Sequence, residues 1–293
     1  YMVMLASRLM DGYHKILGRE TFIAPVTWED GWPIVCPGDG KLSLTYPSPK
    51  GLAEWKPEKG LPLETNEDFN GDSLGLEWNE IGNPADEPFY KIEDSCLKLK
   101  LLKNELVPWE LDGLSANVFE RIPMFGKGGS KVSFLGRRQQ HMRFEAQARL
   151  IFEPENDERA GLAVIQNDAN QLRIEIGRDD QGKTTAAVIS TKTTVREGKQ
   201  YFEEKILGSV TVEPSKSIDI RMDGNYTKYS FYISTRSGEW IPAALDADGS
   251  FMGSETSGGF IGAYIGMFAY CDTEDKDKYA SFDRFTYKGK EEE

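Results

Sequence analysis

The chain has 293 residues, with 35 Lys and Arg against 48 Asp and Glu, a formal net charge of −13 that repels the phosphates of nucleic acid and of anionic membranes. At 28% charged and 39% apolar residues it has the make-up of a folded protein rather than a disordered tail, and no run approaches the roughly 20 apolar residues of a membrane helix. Cys36, Cys96 and Cys271 are too few and too widely spaced for a disulfide scaffold or a CxxC site, and His14 and His141 alone cannot build a multi-histidine zinc centre.

In chain order, the first residue is Tyr1 rather than Met, with no charged, apolar and small-residue series ahead of it. It reads as a cut or processed end, so a secretion signal is not legible, and a secreted or periplasmic compartment is slightly favoured over a cytoplasmic one. Residues 1–50 are rich in aromatics, Gly and Pro, with a strand expected at YMVMLAS (1–7) and another at KLSLTYP (41–47). The stretch PSPKGLAEWKPEKGLPLETNED carries four prolines and no apolar alternation, which suits an extended linker over residues 51–66.

Strict alternation then dominates: Leu97, Leu99 and Leu101; Phe144, Ala146, Ala148 and Leu150; Leu172, Ile174 and Ile176; Ile218, Ile220 and Met222; Phe231 and Ile233. A period of two places these side chains on one face of a pleated strand. Turn clusters at EPENDE, RDDQGK, MDGN and TRSG separate the strands, and no helical stripe of three turns occurs. The expected fold is all-β, an antiparallel sandwich over residues 67–288 with a solvated tail at 289–293. Fifty residues with few strands cannot close a core alone, so the N-terminal piece must pack on the sandwich or on a larger sheet assembly.

One string is more particular. GRETFIAPVTWEDGWPIV, from Gly18 to Val35, resembles the last blade of the five-bladed β-propeller of family 43 glycoside hydrolases, the β-xylosidase and α-L-arabinofuranosidase group. DFNGDSLGLEWNEIGNP, FLGRRQQHMRFEAQARLIFEP, GGFIGAYIGMFAY and SFDRFTY resemble that group's concanavalin A-like jelly-roll sandwich. The resemblance implies a fragment of the last blade followed by a complete sandwich. It also implies an inverting exo-glycosidase acting on xylo-oligosaccharides or arabinoxylan. The base and acid of such an enzyme, about 6.5 to 9.5 Å apart, belong to earlier blades with which no residue here aligns. This chain is therefore expected to complete the substrate pocket without supplying catalytic residues, inactive alone and joined to a propeller chain or segment. The alternatives are a free-standing carbohydrate-binding lectin module and a purely structural subunit.

Arg19 matches the family arginine that reaches the sugar, a role suited to a planar guanidinium; the alternative is a structural salt bridge with Glu20 or Asp30. Phe260 lies where the family sends an aromatic from the sandwich to the propeller mouth, and Ile261 could hold that position instead. The alternative for Phe260 is a core position. His14 could border the pocket or be a hydrogen-bonded structural histidine, and His141 reads as a sheet residue. Arg137, Arg138, Gln139 and Gln140 form a polar patch expected to satisfy buried loops or an interface. No cofactor is required for the chemistry. Asp68, Asn70 and Asp72 alternate, but Ser73 and Asn79 break the EF-hand signature. A structural calcium is still implied by the sandwich type, with backbone oxygens near the domain start and Asp283 as the side-chain ligand; the alternative for Asp283 is a solvent-facing residue between Phe282 and Phe285. Trp55, Trp78, Trp109 and Trp240 are read as core or interface residues, with Trp109 the best candidate for a sugar platform.

Overall fold

A computed structural model describes residues 1–43, 45–48, 51, 64–81, 88–103, 106, 114–115, 132–155, 157–236, 238–273 and 277–290. Its strands are β1 (Met2–Ala6), β2 (Glu20–Ala24), β3 (Val26–Glu29), β4 (Trp32–Val35), β5 (Glu64–Glu67), β6 (Asn79–Glu80) and β7 (Tyr90–Glu93). They continue with β8 (Cys96–Lys100), β9 (Leu114–Ser115), β10 (Phe134–Arg138), β11 (Arg143–Ile151), β12 (Glu158–Asn167), β13 (Asn170–Arg178) and β14 (Thr184–Arg196). The last are β15 (Lys199–Thr211), β16 (Ile218–Asn225), β17 (Lys228–Ser234), β18 (Ile241–Asp248), β19 (Tyr264–Cys271) and β20 (Tyr279–Gly289). Between β18 and β19 lie a 3₁₀ turn (Ser250–Met252) and a single helical turn (Ser254–Ser257). Among the described residues no helix is long and apolar enough to cross a membrane.

Two antiparallel sheets form the sandwich. The first runs β6-β10-β19-β12-β13-β14-β15-β9 and the second β18-β17-β16-β11-β20-β8-β7, with β5 also paired to β20. The expected alternation is realised: Leu97, Leu99, Phe144, Leu172, Ile174, Ile176, Ile220 and Phe231 are fully buried in one cluster between the sheets. This is the half-buried strand pattern expected of facing antiparallel sheets.

Over β10, β12, β13 and β19 the first sheet is buried on its other face as well. Along β13, Gln171, Arg173 and Glu175 alternate with the core leucine and isoleucines and are buried all the same. Arg173 donates to Glu175 at 2.5 Å, to Thr191 at 2.7 Å and to Glu204 at 2.8 Å, and Tyr270 donates to Glu175 at 2.9 Å. Beside this group a second apolar cluster gathers Leu106, Val132, Phe134, Ala163, Ile165, Phe268 and Tyr270. Buried charges require such pairing, since an unpaired one would be very costly.

The N-terminal residues form two ribbons, β1 with β2 and β3 with β4, neither of which joins a sandwich sheet through a ladder. Residues 1–7 do contain a strand, but the described residues of 41–47 do not. There the Ser43 N–H donates to the Tyr46 hydroxyl at 2.6 Å, and that hydroxyl also meets the Cys36 sulfur at 3.4 Å. Local side-chain bonds take the place of a ladder with a neighbouring strand. MDGN is likewise not a turn: it ends β16, and the chain reverses one step later at Tyr226 and Thr227.

Candidate functional site

Residues 8–19 lie at one end of the sandwich, in contact with Arg138 of the first sheet and with Thr227 in the β16–β17 turn of the second. Met10, Ile16 and Leu17 are buried in the main sandwich core, so this segment is anchored by apolar burial before any polar contact is counted. Around them the polar groups are satisfied from the sandwich. Thr227 Oγ1 donates to Asp11 at 2.6 Å, the Lys15 N–H donates to Glu255 at 3.0 Å, and the Ala263 N–H donates to the Ile16 carbonyl at 2.9 Å. His14 Nδ1 lies 2.8 Å from the other oxygen of Glu255. A carboxylate can only accept there, so Nδ1 carries the proton. This is the hydrogen-bonded structural arrangement open to His14 from the sequence.

Two glycines set how closely the segments approach. Gly18 has φ of +69°, and a Cβ on it would stand 2.3 Å from the Gly262 nitrogen. A Cβ on Gly262 would in turn stand 2.1 Å from the Leu17 carbonyl oxygen. Backbone meets backbone here, which only glycine permits. Next to this contact Arg138, at the end of β10, donates from Nη2 to the carbonyls of Leu17 and Arg19, each at 2.7 Å. Arg8 pairs with Glu20 at 2.9 Å and donates to the Gln140 carbonyl at 2.8 Å.

The consequence is a meeting of Arg19 and Phe260. The Arg19 guanidinium carbon lies 3.9 Å from the centroid of the Phe260 ring. The ring is 67% exposed and Ile261 beside it 56% exposed, so neither is a core residue. The Ile261 carbonyl is fixed by Gln166 Nε2 at 2.7 Å. Neither Glu20 nor Asp30 pairs with Arg19 among the described residues; Glu20 is engaged by Arg8. An exposed cation over an aromatic face is worth about 0.5 to 1 kcal/mol, enough to orient the guanidinium while leaving its N–H groups free for a ligand. Such a fork can donate two parallel hydrogen bonds to vicinal hydroxyls. Glu20, Glu255 and Asp11 are each held in a hydrogen bond or ion pair, so the described part of the site is equipped to bind and orient.

The polar patch resolves into supporting roles. Arg138 holds the N-terminal segment, the Tyr229 hydroxyl donates to Gln139 at 3.0 Å, and Arg137 lies over the Tyr287 ring at 4.9 Å. Burial holds the Arg137 guanidinium below its usual pKa. His141 is not a sheet residue: it sits between β10 and β11, and its N–H donates to the Tyr287 hydroxyl at 3.1 Å. Trp78 is buried against Phe285, with ring centroids 5.0 Å apart, and Trp240 covers Arg221 at 4.7 Å. Trp55 and Trp109 lie outside the described residues. Sequence reasoning missed Glu255, Gln166 and the pairing of the two glycines; of these only Gly262, inside an otherwise apolar string, carried a signal.

Asp283 occupies a separate place. It is the residue left over by a bulge in β20, where Arg149 faces Arg284 and Leu150 faces Phe282. It lies between the point where β5 pairs (Glu67 with Phe285) and the point where β8 pairs (Leu97 with Phe282). Its Oδ1 is buried without a hydrogen-bond partner, and burial raises its carboxyl above the usual range, partly offset by Arg149. An orphaned buried carboxylate beside the domain start fits a cation ligand. Among the described residues no three His, Cys, Asp or Glu side chains cluster, so further ligands would be backbone carbonyls and water.

Comparison with known proteins places this architecture. The model of the beta-xylosidase C-terminal concanavalin A-like domain matches residues 66–288. A xylosidase/arabinosidase of Butyrivibrio fibrisolvens is 30% identical over 98% of this chain and 49% of its own length. A non-reducing end alpha-L-arabinofuranosidase of Bacteroides ovatus is 29% identical, over 98% of this chain and 48% of its own length. The solved structure of the Bacteroides ovatus xyloglucan PUL GH43B protein superposes with a TM-score of 0.76 at 27% identity, covering 98% of this chain and 51% of that one. The chain thus spans about half the length of the curated relatives it matches. With the match extending over most of its length, the chain belongs to the glycoside hydrolase family 43 proteins that carry the beta-xylosidase C-terminal concanavalin A-like domain.

Proposed function

We propose that this chain is the C-terminal portion of an inverting exo-glycosidase acting on xylo-oligosaccharides or arabinose-decorated xylan. In this reading it completes the substrate pocket, while the base and acid come from propeller residues outside it, on the same polypeptide or on a partner chain. The observation that carries the reading is the convergence of Arg19, from the N-terminal segment, with Phe260, from the sandwich, at an exposed site. Arg19 would donate to sugar hydroxyls, and Phe260 with Ile261 would wall the pocket so that one terminal unit fits. His14 would border the pocket through its hydrogen bond to Glu255 rather than touch sugar. The exposed faces of the two ribbons support a further sheet assembly as partner. Asp283 is proposed as the side-chain ligand of a structural calcium, which would stabilise the sandwich and take no part in the chemistry.

The test is hydrolysis of aryl xylosides and aryl arabinosides by this chain alone and by the chain joined to the preceding blades. No turnover is expected from the first and release of single sugar units from the second. Clear turnover by a contaminant-free sample of this chain alone would overturn the division of labour.

A further inference from the structure

The sandwich reaches Arg19 at two points, and the second has no role in the reading above. Phe260 carries the guanidinium. Arg138 holds the main chain: one nitrogen, Nη2, donates to the carbonyl on each side of Gly18, Leu17 and Arg19, at 2.7 Å apiece. It is fixed in turn, because it ends β10, where Arg138 faces Tyr264 of β19. The next residue, Gln139, donates its N–H to the Ala263 carbonyl at 2.9 Å, and Ala263 donates to Ile16 at 2.9 Å. Arg138 Nε would stand 3.2 Å from a Cβ on Gly262, so the side chain lies over the glycine contact itself. Gly18 holds the left-handed φ that this turn requires, and two charge-assisted hydrogen bonds fix the carbonyls on either side of it.

We infer that Arg138 is a positioning residue for Arg19: it fixes the backbone on both sides of Gly18 from the sandwich side, so that the guanidinium is presented over Phe260 before substrate arrives. The inference rests on the reading that Arg19 meets sugar. It goes further by assigning the orientation of that group to a sandwich strand. Orienting a binding group in advance spares its ordering cost on binding.

The test uses the complete, active enzyme. Arg138→Met keeps the aliphatic stem and removes both donors. It is expected to lower kcat/KM about three- to tenfold, against about ten- to hundredfold for Arg19→Ala. Arg138→Lys, whose ammonium can still reach a carbonyl, is expected to recover most of that loss. The decisive comparison is the double variant. In the Arg19→Ala background Arg138→Met should cost less than twofold, because a residue that acts through another has no effect once the other is gone. Thr227→Val, which loosens the same segment at Asp11, is the control and should leave kcat/KM within twofold. Full additivity in the double variant, or an Arg138→Met enzyme as active as wild type, overturns the inference. Should Arg19→Ala itself be silent, the substrate-contact reading fails, and the positioning claim is decided on this chain alone. Side-chain NMR should show the Arg19 Nε–H ordered in the wild type and mobile in Arg138→Met; unchanged order overturns it.

Discussion

The sandwich and the N-terminal ribbons carry the same period-two pattern and meet opposite fates. In β13 and β17 the alternating apolar residues are fully buried: Leu172, Ile174, Phe231 and Ile233. In the ribbons, Val3 on β1 faces Ile23 on β2, and both are exposed, while Trp28 and Trp32 of the β3–β4 hairpin are 71% and 74% exposed. Alternation therefore specifies a strand with an apolar face and says nothing about whether a second layer covers it. The residues between β1 and β2, Met10, Ile16 and Leu17, are the part of the N-terminal region that found such a layer.

The contrast can be broken or sharpened in order of effect. Phe231→Ala should be the most damaging change, about 3 to 5 kcal/mol in chemical denaturation, because it empties a filled core; a cost below about 1 kcal/mol would mean that the two sheets pack loosely. Gly262→Ala comes next. Its Cβ would stand 2.1 Å from the Leu17 oxygen, so the sandwich should survive while residues 10–19 lose hydrogen-exchange protection. Retained protection would show that the close approach is not needed.

Asp283→Asn should act more gently and with a defined sign. Burial raises the folded carboxyl pKa, so the folded state holds its proton to higher pH than the unfolded chain does. Stability from this group is present below the unfolded pKa and falls as pH rises toward and through the folded value. In calcium-free buffer at neutral pH the Asn variant should therefore melt higher than wild type. Added calcium should raise the wild-type Tm and leave the variant unmoved; a calcium response shared by both would remove Asp283 from the ligand set. Trp28→Ala should be smallest, within about 0.5 kcal/mol in this chain alone, as expected of an exposed side chain. In the complete enzyme the same substitution should cost more, and equal effects in the two settings would show that nothing covers the hairpin.

The expectations for strands succeeded where a run of alternating residues had a neighbour to pair with, as at Leu97–Leu101 and Phe144–Leu150. They failed at the described residues of 41–47, where Leu42 and Tyr46 fit the same period but the Tyr46 hydroxyl accepts from the local backbone and no strand forms. The buried outer face of the first sheet was not legible either. Alternation locates the core face of β13 only, and the burial of Gln171, Arg173 and Glu175 on the other face is tolerable because Arg173 pairs with Glu175 and Glu204, Tyr270 donates to Glu175, and Gln171 donates to main-chain carbonyls.

Single residues divide the same way. From the sequence alone came the all-β class, the core positions and, through resemblance, the choice of Arg19 and Phe260, because periodicity and short strings are local properties of the chain. The tertiary structure decided that these two side chains stack, that Glu255 takes His14 and Lys15, and that Arg138 binds across Gly18. Each of those contacts joins segments far apart in the chain. Such contacts depend on how two sheets and a docked segment pack, which no local pattern encodes.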